Sequence, residues 1–405
     1  MGGRDSLAAM ATANSTATPP EDFSLVLGGP LYQLFRRAHL AGDALQLARR
    51  RVVIIALIVW LPLLVLSGLQ GTALHTVAVP FLRDFELHVR FLGALPLLVI
   101  AEMVVHQRLR PTLQLFSDRE VIPPSQRERF AGVVAAAYRL RNSLVAEVLL
   151  VAFVYLVGVQ LIWRQWLVLN TATWYGAPGP NGPILSLAGY WYGYVSLPIF
   201  QFLLCRWYLR IFIWARFLFH VSRIELSLVP SHPDKLGGLG FLSGSVFAFV
   251  PLALAHGALL AGTLANRVFY AGADIRAFKP ELALMVLWVL LLVCAPLLVF
   301  APQLSRTRRR GIAEYGTLAE RYVRAFEAKW LRGAPPDEPF LGSADIQSLA
   351  DLSNSVEGVR TMRSVPVGRD AVIRLALATA APIVPLLLTI MPLEELAKKL
   401  LGLLF

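Results

Sequence analysis

Long apolar segments, separated by shorter polar ones, recur along most of the chain. A helix needs about 20 mainly apolar residues to cross the hydrocarbon core of a bilayer, and several segments approach or reach that length. We predict membrane spans at Val52–Leu69, Phe91–Gln107, Leu144–Trp163, Trp191–Ile213, Val246–Leu264, Leu282–Pro302 and Ala371–Met391. The pattern therefore predicts an all-α fold, a polytopic transmembrane helix bundle of about seven spans.

Between the sixth and seventh spans the apolar residues recur every three or four positions, as on one face of a helix. The two runs are Ile312, Tyr315, Leu318, Tyr322, Phe326 and Trp330, and then Ile346, Leu349, Leu352, Val356, Val359 and Met362. Ser343 is placed to cap the second helix. We predict a cytosolic helical hairpin whose apolar stripes pack on each other or on the membrane domain. The alternative is a docking surface for a cytosolic partner.

The same pattern divides the chain into four regions. Residues 1–30 are small and polar, which predicts a disordered N-terminal tail. Residues 31–302 are the membrane domain, with six spans and a polar loop; its first part, Leu31–Arg51, has the pattern of an amphipathic helix at the membrane surface. Residues 303–370 are the cytosolic helical segment. Residues 371–405 hold the seventh span and an amphipathic tail from Leu393.

An aromatic, turn-rich loop, Trp174–Pro183, separates the third and fourth spans. Trp and Tyr are enriched where a membrane meets water, because their rings have an apolar body and a polar tip. We therefore predict Trp174 and Tyr175 at headgroup depth on the outer side.

Positive charge is distributed unevenly over this predicted bundle. With a cytoplasmic N-terminus, 29 Lys and Arg residues belong to the cytoplasmic side and eight to the outer side. Membrane proteins carry such an excess on their cytoplasmic loops, so we predict a cytoplasmic N-terminus. The formal net charge of +12 would suggest a nucleic-acid partner in a soluble protein. Here cytoplasmic arginines account for it, and the predicted partner is the lipid bilayer rather than nucleic acid.

The composition agrees with this class. Of the 405 residues, 56% are hydrophobic and 16% are charged, whereas soluble domains carry about 25% charged residues. Cys205 and Cys294 both fall in apolar segments, which predicts two reduced thiols rather than a disulfide framework.

Ionisable residues inside predicted spans are candidates for function, because charge is costly in hydrocarbon. Glu102 and His106 lie four residues apart on one helix face, and Glu147 lies one turn into the third span. Three interpretations stay open: local pairing, a proton- or solute-coupled path, or a metal site shared with His232 and Asp234. Because no HExxH or CxxC pattern is present, we predict no metal and no cofactor, and we favour a role other than catalysis.

The fourth span carries arginines among aromatic residues. Arg206 and Arg210 are one helical turn apart, beside Trp207 and Tyr208. One interpretation is an aromatic belt with arginines that extend to the headgroups. The other is an anion-facing row, which Lys235 would extend toward a phosphate or carboxylate.

The loop Ser231–Ser245 is the one glycine-rich polar run between long apolar segments. We expect Gly237, Gly238 and Gly240 to serve the backbone, through positive φ or close approach. His232 and Asp234 are expected to act through their side chains. In one interpretation they face a cavity near Glu102 or His106. In the other, Asp234 caps the start of the fifth span or pairs with Arg223, and His232 binds a backbone carbonyl.

From His232 to Leu242 the loop reads HPD-x-x-GGLGFL, and it resembles a loop of uncharacterised proteobacterial multi-spanning inner-membrane proteins. The resemblance implies a bacterial inner-membrane protein and no particular reaction. Our leading hypothesis is a transport or channel-like role, with a cytoplasm-facing polar site for a small anionic solute. The alternatives are a membrane-embedded metal-dependent enzyme and a non-catalytic sensor or scaffold. A homo-oligomer, or a cytosolic partner bound through residues 303–370, is compatible with each.

Overall fold

A computed structural model of the chain describes residues 24, 26, 28–30, 46–163, 172–179, 183–333, 339 and 342–387. Three predicted segments lie mostly or wholly outside these residues. They are the N-terminal tail, the part of the surface helix Leu31–Arg51 up to residue 45, and the tail from Leu393. The described part is helical apart from loops, isolated bridges and one antiparallel pair, β1 (Gly176–Ala177) with β2 (Ile184–Leu185). The all-α prediction is confirmed.

Nine long helical segments make up this described part, several of them with internal π or 3₁₀ turns. They are α1 (Gln46–Leu69), α2 (Phe85–Asp118), α3 (Arg127–Arg141), α4 (Leu144–Phe153, continued by the π-helix Val154–Trp163), α5 (Leu197–Val221, preceded by Leu187–Trp191 and the π-helix Tyr192–Ser196), α6 (Phe241–Ala271), α7 (Ile275–Leu331), α8 (Ala344–Arg360) and α9 (Arg369–Leu387).

Within the described residues, five helices are long and apolar enough to cross a membrane: α1, α2, α6, α7 and α9. A sixth candidate is the pair formed by α3 and α4, which bend by 45° at the break between them. The helix predicted as the fourth span, α5, is not in this set, and it carries the buried Arg206 and Arg210. The chain is thus a polytopic helical membrane protein, with five or six candidate spans where the pattern predicts about seven.

Two helices are longer than the apolar pattern predicts. Asp84 caps α2, where its side chain accepts a hydrogen bond from the N–H of Leu87, so α2 begins six residues before the predicted Phe91. The second long helix, α7, continues without a break from the predicted sixth span into the predicted hairpin. At 1.5 Å per residue, its 57 residues correspond to about 85 Å of helix. A hydrocarbon core is about 30 Å thick, so much of α7 lies beyond it.

Close packing of large and small side chains holds the helices together. Trp207 of α5 is 2% exposed, and its indole N–H donates to the carbonyl of Leu98 in α2 at 2.9 Å. Between α6 and α9 the backbones themselves meet, since a Cβ on Gly257 would lie 1.9 Å from the carbonyl oxygen of Thr379. Small residues permit such close helix contacts in membranes.

Trp174 packs inside the protein rather than against lipid headgroups. Trp174 is fully buried, and its indole N–H donates to Oδ2 of Asp84 at 2.9 Å. Asn266 of α6 donates to the other oxygen of that carboxylate at 2.8 Å. A buried indole usually finds a hydrogen-bond partner, and here a capping carboxylate supplies it. The loop with Trp174 therefore ties the start of α2 to the end of α6.

The long polar part of α7 and the helix α8 form a helical hairpin. Arg308 donates to the carbonyl of Arg360 at 2.9 Å, and Lys329 pairs with Asp345 at 2.7 Å, so the two helices run antiparallel. The predicted cap is confirmed, because the Ser343 hydroxyl accepts a hydrogen bond from the N–H of Asp345.

Candidate functional site

A buried cluster of charged side chains lies where α1, α2 and α5 meet. At its centre, Glu102 accepts hydrogen bonds from Arg51 Nη1 on Oε2 at 2.9 Å and from Arg210 Nη1 on Oε1 at 2.7 Å. Arg206 Nη1 lies 3.8 Å from the same Oε1. The four side chains are only 6–9% exposed. This group, together with Glu147, is called the ionic cluster below.

Glu147, near the start of α4, joins the ionic cluster through Arg206. Its Oε1 lies 3.3 Å from Arg206 Nη2, and its side chain is 12% exposed. Glu102 and Glu147 therefore share one arginine, which is the convergence that their positions near the inner ends of two spans predict. The shared partner is a guanidinium rather than a metal ion.

The helical spacing of Arg206 and Arg210 puts both on the face of α5 that meets α2. Residues four apart lie above one another on a helix, and both guanidinium groups approach Oε1 of Glu102. Arg210 also lies over the ring of Trp207, 4.9 Å from its centroid. Arginines that extend to headgroups keep the charged end in water. The structure instead buries both, so the aromatic-belt interpretation is wrong for this pair.

A short stretch from the N-terminal region lies against the ionic cluster. His106, one turn after Glu102, has its Nδ1 2.8 Å from the hydroxyl of Ser24. Arg141, at the end of α3, donates to the backbone carbonyl of Ser24. A Cβ on Gly29 would lie 3.1 Å from Oε1 of Glu147. His106 is thus next to the cluster and bound to the stretch that covers it, rather than paired with Glu102.

Among the described residues, three arginines of the ionic cluster surround two carboxylates. The guanidinium groups of Arg51 and Arg210 lie on Glu102, and that of Arg206 lies between Glu102 and Glu147. Burying ions costs several kcal/mol each unless they are well paired. Three guanidinium groups gathered in one buried place favour an anion over a metal cation.

The loop Ser231–Ser245 is organised around its own aspartate. Oδ1 of Asp234 accepts from the N–H groups of Leu236 at 2.7 Å and Gly238 at 3.2 Å, and Oδ2 accepts from that of Gly240 at 2.8 Å. His232 Nδ1 lies 2.9 Å from Oδ1. Partial burial by itself raises the pKa of the Asp234 carboxyl, but the three N–H donors and His232 outweigh it and lower this pKa below its ordinary value.

The loop glycines serve the backbone, as predicted. Gly237 and Gly238 have φ of 65° and 100°, which side chains rarely allow. Gly240 has ordinary φ, but a Cβ there would lie 2.8 Å from Oδ2 of Asp234. Lys235 adopts φ of 57°, and its carbonyl accepts from the N–H of Arg363 at 2.8 Å, so the loop is also fastened to the segment after α8.

The loop and the ionic cluster are two separate places. The loop packs on the far end of α2: Phe241 and Phe116 have ring centroids 4.9 Å apart. From Glu102 to the end of α2 at Asp118 is about 24 Å at 1.5 Å per residue. His232, Asp234 and Lys235 therefore do not face Glu102 or His106, and the expectation of one shared cavity is wrong. The capping alternative is also wrong, because no side chain of the described residues caps the start of α6. Asp234 accepts from N–H groups of its own loop, and His232 Nδ1 accepts from the N–H of Asp234 instead of binding a carbonyl.

The described carboxylate and imidazole side chains are not gathered into one group. No group of three or more His, Cys, Asp or Glu residues in this part of the chain is placed to share a metal ion. Both oxygens of Glu102 are occupied by arginines. The single pair of His232 and Asp234 is bound within its own loop.

The sequence pattern does not predict three members of the site. Arg51 was expected at the membrane surface, as the last residue of an amphipathic helix, and instead it lies 8% exposed on Glu102. Arg141 and Ser24 carried no signal, because one lies in a basic connection and the other in a polar tail. The available signal is the presence of two carboxylates in apolar segments, since Glu102 and Glu147 need cations nearby.

No protein-family model, no curated protein and no solved structure matches this chain. The function of the site therefore rests on its geometry and charge.

Proposed function

We propose that this protein is a bacterial inner-membrane protein with a transport or channel-like role, and that the ionic cluster binds a small anion. The observation that carries the proposal is the gathering of three buried guanidinium groups around Glu102. An anion that enters the cluster would accept charge-assisted hydrogen bonds from these arginines.

The positions of the charges support access from the cytoplasm. Arg51 lies near the start of α1, and Glu147 lies near the start of α4. The excess of Lys and Arg on the same side of the predicted topology favours a cytoplasmic location for both helix ends. The N-terminal stretch with Ser24 and Gly29 lies over the cluster at this end, so an anion would displace or pass this stretch.

The two alternatives have less support. A metal-dependent enzyme needs carboxylate or imidazole groups that are open to a metal, whereas Glu102 is bound by arginines on both oxygens. A sensor or scaffold would not require three buried arginines in one place, which are costly to maintain in a membrane domain.

Anion flux through the purified protein tests the proposal. Liposomes that contain the wild-type protein should release chloride, sulfate or phosphate faster than protein-free liposomes. Arg206→Gln should lower that flux about tenfold, because one charge at the cluster contributes on the order of 1–2 kcal/mol to anion binding. Arg139→Gln, which changes an exposed arginine of α3, is the matched control and should leave flux unchanged. Wild-type liposomes as tight as protein-free ones for all three anions would contradict the transport role.

A further inference from the structure

A groove of about 880 Å³ runs along the outside of the bundle between α5 and α7. Its walls are mainly apolar, with Phe212 and Phe219 from α5 and Leu291 from α7. These three side chains are 55%, 43% and 53% exposed. Large exposed apolar patches mark contact with membrane or a partner, and α7 is one of the helices apolar enough to cross a membrane. The groove therefore faces lipid chains.

The length of the groove fits one leaflet of a bilayer. Tyr208 lines one end and His220 the other, which at 1.5 Å per residue is about 18 Å along α5. Half of a hydrocarbon core of about 30 Å is about 15 Å. The helix α5 ends at Val221, just beyond His220, and there Gln303 of α7 donates to the carbonyl of Ser222 at 2.8 Å.

This end of the groove carries positive charge. Arg216 lines the groove next to His220. Among the described residues, the structure gives its guanidinium no hydrogen bond and no ion pair, whereas Arg206 and Arg210 on the same helix both lie on Glu102. Arg216 is exposed, so its guanidinium is open to an anionic group of a lipid. Arg223 adds a second charge at this end, over the ring of Phe219 at 4.9 Å.

We propose that this groove binds one anionic phospholipid. An acyl chain lies against the apolar walls from Tyr208 outward, and the headgroup phosphate lies at Arg216, beside His220. The apolar walls match the acyl chain, and the positive charge at one end matches the phosphate. The open side lets the lipid enter from the bilayer. Basic pockets between transmembrane helices bind anionic headgroups in this way. The groove contains no residue of the ionic cluster, so this inference does not depend on the proposed function.

Native mass spectrometry of the purified protein in detergent measures this binding. Phosphatidylglycerol and phosphatidylcholine with identical acyl chains are titrated separately. The wild-type protein should bind the first phosphatidylglycerol roughly fivefold more tightly than phosphatidylcholine, the effect of about one arginine charge. Arg216→Gln should remove this preference. Ala295→Trp, which places a large ring in the groove from an exposed wall position, should weaken the binding of both lipids.

The control is Arg139→Gln, an exposed arginine of α3 away from the groove, which should keep the preference. The melting temperature of each variant, compared with that of the wild type, separates lost binding from lost folding. Equal affinity of the wild type for the two lipids would mean that lipid coats the surface without a specific site, and this result would overturn the proposal. An unchanged preference in Arg216→Gln, or undiminished binding in Ala295→Trp, would overturn the proposal.

Discussion

Both oxygens of the Asp234 carboxylate are occupied by backbone N–H groups, and this decides what a substitution there does. An asparagine has one acceptor oxygen and an NH₂ group that only donates. It can therefore receive the N–H groups of Leu236 and Gly238, or that of Gly240, but not all three. At the residue scale, the loop depends on the charge and on both oxygens.

Asp234→Asn is expected to lower the free energy of unfolding by about 1–3 kcal/mol, the cost of unsatisfied buried hydrogen bonds. Denaturant unfolding in detergent at neutral pH measures it, with Glu225→Gln, an exposed carboxylate next to the loop, as the matched control. If Asp234→Asn matched the wild type in stability, the loop would not rely on these bonds.

The same carboxylate predicts a pH dependence. The folded protein lowers the pKa of Asp234 below its ordinary value of 3.8. Its stabilising contribution is therefore complete above that ordinary value and is lost as the pH falls through the lower folded value. The stability difference between the wild type and Asp234→Asn should be constant near neutral pH and should shrink below about pH 4. A difference that grew on acidification would contradict the lowered pKa.

Gly240 and Gly244, six and ten residues after Asp234, distinguish close packing from simple backbone flexibility. Gly240→Ala should destabilise the protein, because the new methyl group would lie 2.8 Å from Cβ and Oδ2 of Asp234. Gly244→Ala, four residues on, has nothing within 4 Å of the new methyl group and should be neutral or slightly stabilising. Thermal unfolding of both variants tests this, and equal melting temperatures would refute the packing explanation.

At the scale of elements, hydropathy predicts where the helices lie but not where each of them ends. The predicted third span, Leu144–Trp163, coincides with α4 and its π-helical continuation. The start of α2 was misplaced because Glu86 and Arg90 look like loop residues in an apolar pattern. In the fold they pair with each other one turn apart, and Arg90 also contacts Tyr192. A hydropathy profile scores each residue separately and does not include the pairing of charges within a helix.

The parts of the site were predictable to different degrees for the same reason. Glu102, Glu147, Arg206 and Arg210 could be chosen from the sequence, because charge inside an apolar segment is unusual. Arg51 could not be chosen in this way, since an arginine at the edge of a span ordinarily contacts lipid headgroups. The separation of the loop from the cluster follows from the length of α2 beyond Glu102, which the predicted span, ending at Gln107, underestimates.

For the whole molecule, the topology remains a prediction that labelling can test. The excess of positive charge predicts that the Ser231–Ser245 loop and the hairpin of α7 and α8 both face the cytoplasm. With Cys205 and Cys294 replaced, single cysteines at Lys235 or Gly333 should resist a membrane-impermeant thiol reagent in intact cells. Labelling should appear after the membrane is permeabilised. Reaction in intact cells at either position would invert the topology.

The central claim is that the buried arginines of the ionic cluster bind an anion, and equilibrium binding of chloride and of inorganic phosphate to the purified protein tests it most directly. Glu147→Gln would remove one negative charge from the cluster, and Arg206→Gln would remove one positive charge. The dissociation constant should fall about tenfold in Glu147→Gln and rise about tenfold in Arg206→Gln. Shifts of the same sign in both variants, or no saturable binding of either anion to the wild type, would contradict the account.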